Sequence, residues 1–142
     1  MTVAATLTLH ATTVAVEGRG ILITGPAGAG KSSLALALMA LGARLVADDQ
    51  TVLTDEGGAL VARCPPRLLG MIEARGIGIL RADPVVQAVV AVAVDMGQVE
   101  PDRLPPHRDV TYLGRMVPLV LGQRLAHFPS ALLHYVRAGR IG

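Results

Sequence analysis

Short apolar runs punctuated by glycine and proline, rather than long amphipathic stripes, set the rhythm of this chain. Ala4 to Val16 is rich in Thr, Val and Leu and predicts one or two short strands. Glu17-Gly18-Arg19-Gly20 is a turn signal, and Ile21 to Thr24 has the continuous apolar character of a buried strand. Gly25 to Gly30 is too rich in glycine to be anything but a loop. Lys31 to Leu41 is a Leu/Ala segment of high helix propensity, with Gly42 placed as the residue that ends it. Apolar residues fall on nearly every side of that helix, which predicts deep burial. Arg44 to Ala47 predicts a strand that runs into Asp48-Asp49. Thr51 to Leu53 and Ala59 to Arg63 predict a hairpin around Asp55-Glu56-Gly57-Gly58.

Pro65-Pro66 then breaks the chain. Met71 to Leu80 reads as extended but carries Gly76 and Gly78, and Val85 to Val94 reads as a β-branched buried strand. Pro101 to Arg108 is a charged, proline-rich loop expected to be mobile. Val117 to Leu121 is a last strand, and Pro129 to Gly139 a closing helix with proline in its first turn. The strand-dense middle lacks the helices that a doubly wound sheet requires. The expected class is therefore α/β, a mixed β-sheet with few helices, in one domain spanning residues 1–142.

Composition narrows the function. Apolar residues make up 51% of the chain and charged residues 17%, which excludes disorder. The net charge of +2 comes almost entirely from arginine, for Lys31 is the only lysine. There is no basic run and there are few aromatics, so no nucleic-acid footprint is expected. The single cysteine, Cys64, excludes an internal disulfide and a cysteine-based zinc site. The chain does not open on a basic segment followed by an apolar core, and its longest apolar run, Leu34 to Leu41, is far short of the ~18 residues of a spanning helix. A cytoplasmic protein without a membrane partner is expected.

The segment Gly25-Pro26-Ala27-Gly28-Ala29-Gly30-Lys31-Ser32 fits G-x-x-x-x-G-K-[ST], between a predicted strand and a predicted helix. The chemistry explains the spacing. Glycines let successive N–H groups turn inward around phosphate oxygens, and the helix N-terminus adds a positive dipole end. In such a P-loop the lysine reaches the terminal phosphates and the serine hydroxyl binds Mg²⁺, here Lys31 and Ser32, with Ser33 following. Leu45-Val46-Ala47-Asp48-Asp49 has the form of a Walker B strand. One of its carboxylates can serve Mg²⁺ and the other a substrate proton. The plainer alternative is an Asp-Asp turn that starts the next hairpin.

In order along the chain, His10-Ala11-Thr12, Gly18 to Gly25, the P-loop, Arg44 to Asp49 and Ile72-Glu73-Ala74-Arg75-Gly76-Ile77-Gly78 resemble the catalytic domain of HPr kinase/phosphorylase, in a short form without the separate N-terminal domain. The resemblance covers roughly residues 8 to 106, and its V-A-D-D and I-E-x-R-G-x-G segments are more specific than the P-loop. It implies ATP-dependent phosphorylation of a serine on the phosphocarrier protein HPr. It also implies removal of that phosphate by inorganic phosphate, giving pyrophosphate, and assembly as a hexamer. Asp49 then matches the residue that takes and returns the serine proton. Lys31 matches the P-loop lysine, and His10 a catalytic-site histidine. Ser32 and Glu73 match the Mg²⁺ ligands, with Asp48 on the metal side or orienting. Arg103 matches an arginine of a mobile loop. The chain departs from the family in having Ser33 where an acidic residue is usual. Its Val117 to Arg124 is also a poor copy of a proline- and glycine-containing segment tied to dephosphorylation.

Two other functions fit the P-loop. One is a small-molecule kinase whose lid would draw on Arg103, Arg108 and Arg115. The other is a non-catalytic module that senses nucleotide.

Overall fold

Strands carry most of the chain in the computed structural model, which describes residues 5–142. Ala4, the start of the first predicted strand, lies outside the described residues. In chain order the elements are β1 (Thr6–Leu9), β2 (Thr12–Val16), β3 (Arg19–Thr24), α1 (Lys31–Ala40), β4 (Arg44–Ala47), β5 (Thr51–Glu56), β6 (Ala59–Arg63), β7 (Met71–Ala74), β8 (Gly78–Arg81), β9 (Gln87–Val99), β10 (Asp109–Tyr112), β11 (Arg115–Gly122) and α2 (Phe128–Ala138). A single 3₁₀ turn at Pro66–Leu68 follows the predicted Pro65-Pro66 break. The result is a mixed, sheet-dominated α/β fold with two helices.

Nine strands form one sheet with the path β1-β5-β6-β9-β3-β2-β4, and β11 joins β9 and brings β10 with it. The long β9 is the axis. It runs parallel to β3 on one side, and on the other it pairs antiparallel with β6 and then parallel with β11. β2 lies antiparallel between β3 and β4. The chain ends of β3 and β4 therefore point the same way, and the beginning of β2 lies between them. β7 and β8 make a separate hairpin.

The central strands are buried on both faces, which is why their sequences read as continuous apolar runs. Successive residues alternate between two cores. Val14, Val16, Ile21, Ile23, Val92 and Val94 face α1 and α2, where they meet Leu34, Leu38, Phe128, Leu132 and Val136. Ala15, Leu22 and Ala93 face the other way, toward Leu53, Leu60 and Val117 of the curled hairpins. Leu38 is fully buried in the first core. Its truncation to alanine is expected to cost about 2–5 kcal/mol, read from the shift in urea midpoint.

Several predicted elements differ in extent. α1 is not buried all round. Lys31, Leu34, Ala35 and Leu38 are buried, whereas Leu36 and Met39 are only partly covered and Leu41 is exposed. The helix lies on one face of the sheet, so only one side of it meets a core. β5 continues through Glu56, because the turn takes just Gly57 and Gly58, both at positive φ, as a two-residue hairpin turn prefers. The Pro101 to Arg108 loop is tied at its base by an Arg108–Glu100 ion pair and by Leu119 N–H donating to the Arg108 carbonyl. No helix among the described residues is long and apolar enough to cross a membrane.

Candidate active site

β3 delivers the chain into the glycine loop and α1 takes it out. Gly25, Gly28 and Gly30 all have positive φ. Gly25 is required for a second reason. A Cβ there would stand 3.1 Å from the Gly97 nitrogen, because the end of β9 backs directly onto the loop. The N-terminus of α1 has no side-chain cap and no acidic residue in its first turn, so its leading N–H groups are left for an anion. The Lys31 side chain folds back over the loop, and its Nζ donates to the carbonyls of Gly25 at 2.8 Å and Pro26 at 3.1 Å.

β4 ends at Ala47, and the two aspartates after it part company. Asp48 turns inward and is 8% exposed. Its Oδ1 accepts from Ser32 Oγ at 3.0 Å and from Thr12 Oγ1 at 2.9 Å, and its Oδ2 accepts from the Glu73 backbone N–H at 2.9 Å. One carboxylate thus joins the start of α1, the start of β2 and the middle of β7. Asp49 turns outward. The cause is a left-handed residue with φ of 67°, rather than continued strand alternation. Aspartate tolerates that conformation better than most residues. Its Oδ1 lies 3.1 Å from His10 Nε2, and the two side chains are 61% and 60% exposed. A carboxylate so open to solvent stands where an incoming hydroxyl can reach it.

The β7–β8 hairpin supplies the remaining wall. Ile72 is buried against the helices and its neighbour Glu73 points the other way, exposed, toward the loop. A cavity of about 260 Å³ results, lined by His10, Thr12, the loop and helix residues Ala27, Gly28 and Gly30 to Ser33, Leu36, Asp48, Asp49 and Glu73 to Arg75. Of the candidate residues it brings together His10, Lys31, Ser32, Ser33, Asp48, Asp49 and Glu73.

Arg103 is not among the lining residues. It sits exposed on the Pro101 to Arg108 loop, and the arginine at the cavity is Arg75. Nor is the arginine lid of a small-molecule kinase assembled, since Arg108 is paired with Glu100 and Arg115 with Asp55 at 3.1 Å. Sequence reasoning also missed Thr12, which stands in the His10-Ala11-Thr12 segment without any chemistry of its own to mark it. Val92-Ala93-Val94-Asp95 is a second apolar run ending in aspartate, on the strand beside β3. Asp95 is turned aside, accepting from Gly97 N–H at 2.8 Å and Gln98 Nε2 at 2.7 Å. Cys64 is half-buried. Burial, and then the charge of Asp48, push its thiol pKa up, so it stays protonated at neutral pH and is a poor nucleophile.

Fold and site together define a class: a sheet-dominated α/β protein with a strand–glycine loop–helix unit beside two carboxylates of opposite exposure. Comparison with known proteins gives the particular family. The family model described as HPr Serine kinase C-terminal domain matches residues 1–90, and the chain belongs to that family. A solved structure described as the HPr(Ser) kinase/phosphatase from Coxiella burnetii is similar with a TM-score of 0.77 and 32% identity, over 92% of this chain and 94% of that one. The HPr kinase/phosphorylase of Aromatoleum aromaticum is 35% identical over 84% of this chain and 44% of its own length. That of Clostridium beijerinckii is 50% identical over 51% of this chain and 24% of its own. The chain thus spans less than half the length of these two curated relatives.

Proposed function

We propose that residues 1–142 form a single catalytic domain, a cytoplasmic P-loop kinase that transfers a phosphoryl group from ATP, with Mg²⁺, to a serine of an HPr-like phosphocarrier protein. The same centre then catalyses dephosphorylation by phosphorolysis, in which inorganic phosphate attacks the phosphoserine, the serine hydroxyl leaves and pyrophosphate forms. The observation that carries this reading is the Asp48 junction. It holds the loop serine and the Glu73 strand in one cavity, with the exposed Asp49–His10 pair at that cavity's mouth.

Each part has a role its chemistry suits. The positive-φ glycines and the uncapped start of α1 fit the phosphates. Lys31 trades its loop carbonyls for phosphate oxygens and stabilises the charge that develops during transfer. Ser32 Oγ and the Glu73 carboxylate are hard oxygen donors of the kind Mg²⁺ takes alongside phosphate. When bound, the ion supplies further neutralisation of the phosphate charge. Ser32 directs its O–H at Asp48, which leaves its lone pairs free for a cation. A serine hydroxyl is a weak nucleophile. Asp49 receives its proton in the forward direction and returns it in reverse, with His10 orienting the carboxylate.

Labelled ATP offered to an HPr-like protein and, separately, to small hydroxylated metabolites tests the reading. Label is expected on the protein alone. Label on a metabolite supports the small-molecule kinase, and tight ATP binding without any transfer supports the sensing module. Glu73→Gln removes the charge and keeps the shape. It is expected to raise the Mg²⁺ concentration for half-maximal activity about tenfold with little change in apo stability. An unchanged Mg²⁺ titration would take Glu73 out of the site.

A further inference from the structure

We infer that Thr12 is a positioning residue for the reaction proposed above, and that its hydroxyl sets the two neighbouring aspartates against each other. The inference rests on that reading of Asp48 and Asp49. The topology puts Thr12 where it can act on both. β2 runs antiparallel between β3 and β4, so its first residue lies at the end where β3 releases the glycine loop and β4 releases Asp48-Asp49. Thr12 pairs with Ile23 of β3, is 1% exposed, and has its hydroxyl at the floor of the cavity, buried beside Asp48. A hydroxyl in that setting is costly unless it is bonded.

Its one donor proton and one of its lone pairs go to the aspartate pair. Oγ1 donates to Asp48 Oδ1 at 2.9 Å and accepts from the Asp49 backbone N–H at 3.4 Å. The first bond fixes the carboxylate that holds Ser32 and the Glu73 backbone. The second braces the left-handed turn that sends Asp49 outward to His10. The adjacent Thr13 and Thr51 hydroxyls are bonded to each other at 2.9 Å, and Thr51 Oγ1 donates to the Ala11 carbonyl at 3.0 Å. Those two hydroxyls thus have partners other than Thr12. Thr12 touches neither reacting atom in this scheme. It acts through Asp48 on the metal side and through Asp49 on the acceptor side.

Thr12→Val is the test, since it removes the hydroxyl and keeps the β-branch and the volume. A hydrogen bond to a charged group is worth roughly a tenfold effect or more. The valine variant is therefore expected to lose about tenfold in kcat for HPr-like protein and to need several times more Mg²⁺ for half-maximal rate. In metal-free protein it should exchange the Asp49 amide hydrogen faster. Thr12→Ser, which keeps the hydroxyl and loses the methyl, should restore the Mg²⁺ midpoint and the amide protection. Thr12→Ala compared with Thr12→Ser gives the same contrast if the valine variant does not fold. A Mg²⁺ midpoint, kcat and Asp49 exchange all within twofold of wild type in Thr12→Val would reduce Thr12 to a core residue. If wild-type protein transfers nothing to the HPr-like protein, the proposed function fails on its own. The Thr12 inference is then still decided by Asp49 exchange and by the Mg²⁺ dependence of binding to a non-hydrolysable ATP analogue.

Discussion

Asp49→Asn is expected to slow phosphoryl transfer to serine and phosphorolysis alike, by ~10²–10⁴-fold, the usual cost of removing a general base. In the proposed mechanism the loss falls on both reactions, because one carboxylate serves as base in the first and as acid in the second. ATP affinity should stay near wild type, since Asp49 faces the cavity mouth and the loop, Lys31 and the α1 N-terminus are untouched. Asp48→Asn should behave differently. Asp48 is buried and accepts three hydrogen bonds. Turning one of its oxygens into an amide donor places that donor against another. Its variant should lose stability and Mg²⁺ response together with rate. Paired rates, nucleotide affinities and urea midpoints separate the two. If Asp49→Asn kept wild-type rates while Asp48→Asn lost them, the roles would be exchanged. If both stayed active, a carboxylate base would not be part of the mechanism.

Lys31→Ala is expected to reduce transfer by on the order of 10³-fold or more, the scale of losing a preorganised charge on a developing oxyanion. The fold should survive. The Nζ partners are two carbonyls of a loop that is open to water, so the groups it leaves can be solvated. Circular dichroism and a melting curve establish that the variant is folded before its rate is compared. A folded Lys31→Ala protein with near-normal transfer would move the catalytic centre away from this loop.

The parts of the molecule that could be read in the sequence are those fixed by local chemistry. The glycine loop needs positive φ at Gly25, Gly28 and Gly30 and lies between an apolar run and a Leu/Ala helix, so strand, loop and helix were all predictable. Gly57-Gly58 marked a hairpin for the same reason. What could not be read depends on what packs beside what. β10 is a four-residue strand (Asp109–Tyr112) after a proline-rich loop, and only its pairing with β11 makes it one. The apolar outer side of α1 predicts a burial that the described residues provide only in part, with Leu36 and Met39 half-covered. Asp48 and Asp95 both end apolar runs. Only the strand order shows that Asp48 meets Ser32, while Asp95 turns back on Gly97. Arg103 matches by its neighbours in sequence, yet the hairpin brings Arg75 to the cavity. Thr12 has no motif, and its importance comes from two strand pairings that place it between the two aspartates.

The most direct measurement is mass spectrometry of an HPr-like protein after incubation with this chain, ATP and Mg²⁺, followed by addition of excess inorganic phosphate. The account predicts one phosphate on a serine of the carrier in the first step, then its loss with formation of pyrophosphate in the second. An HPr-like protein that remains unmodified while ATP binds in the cavity would contradict it.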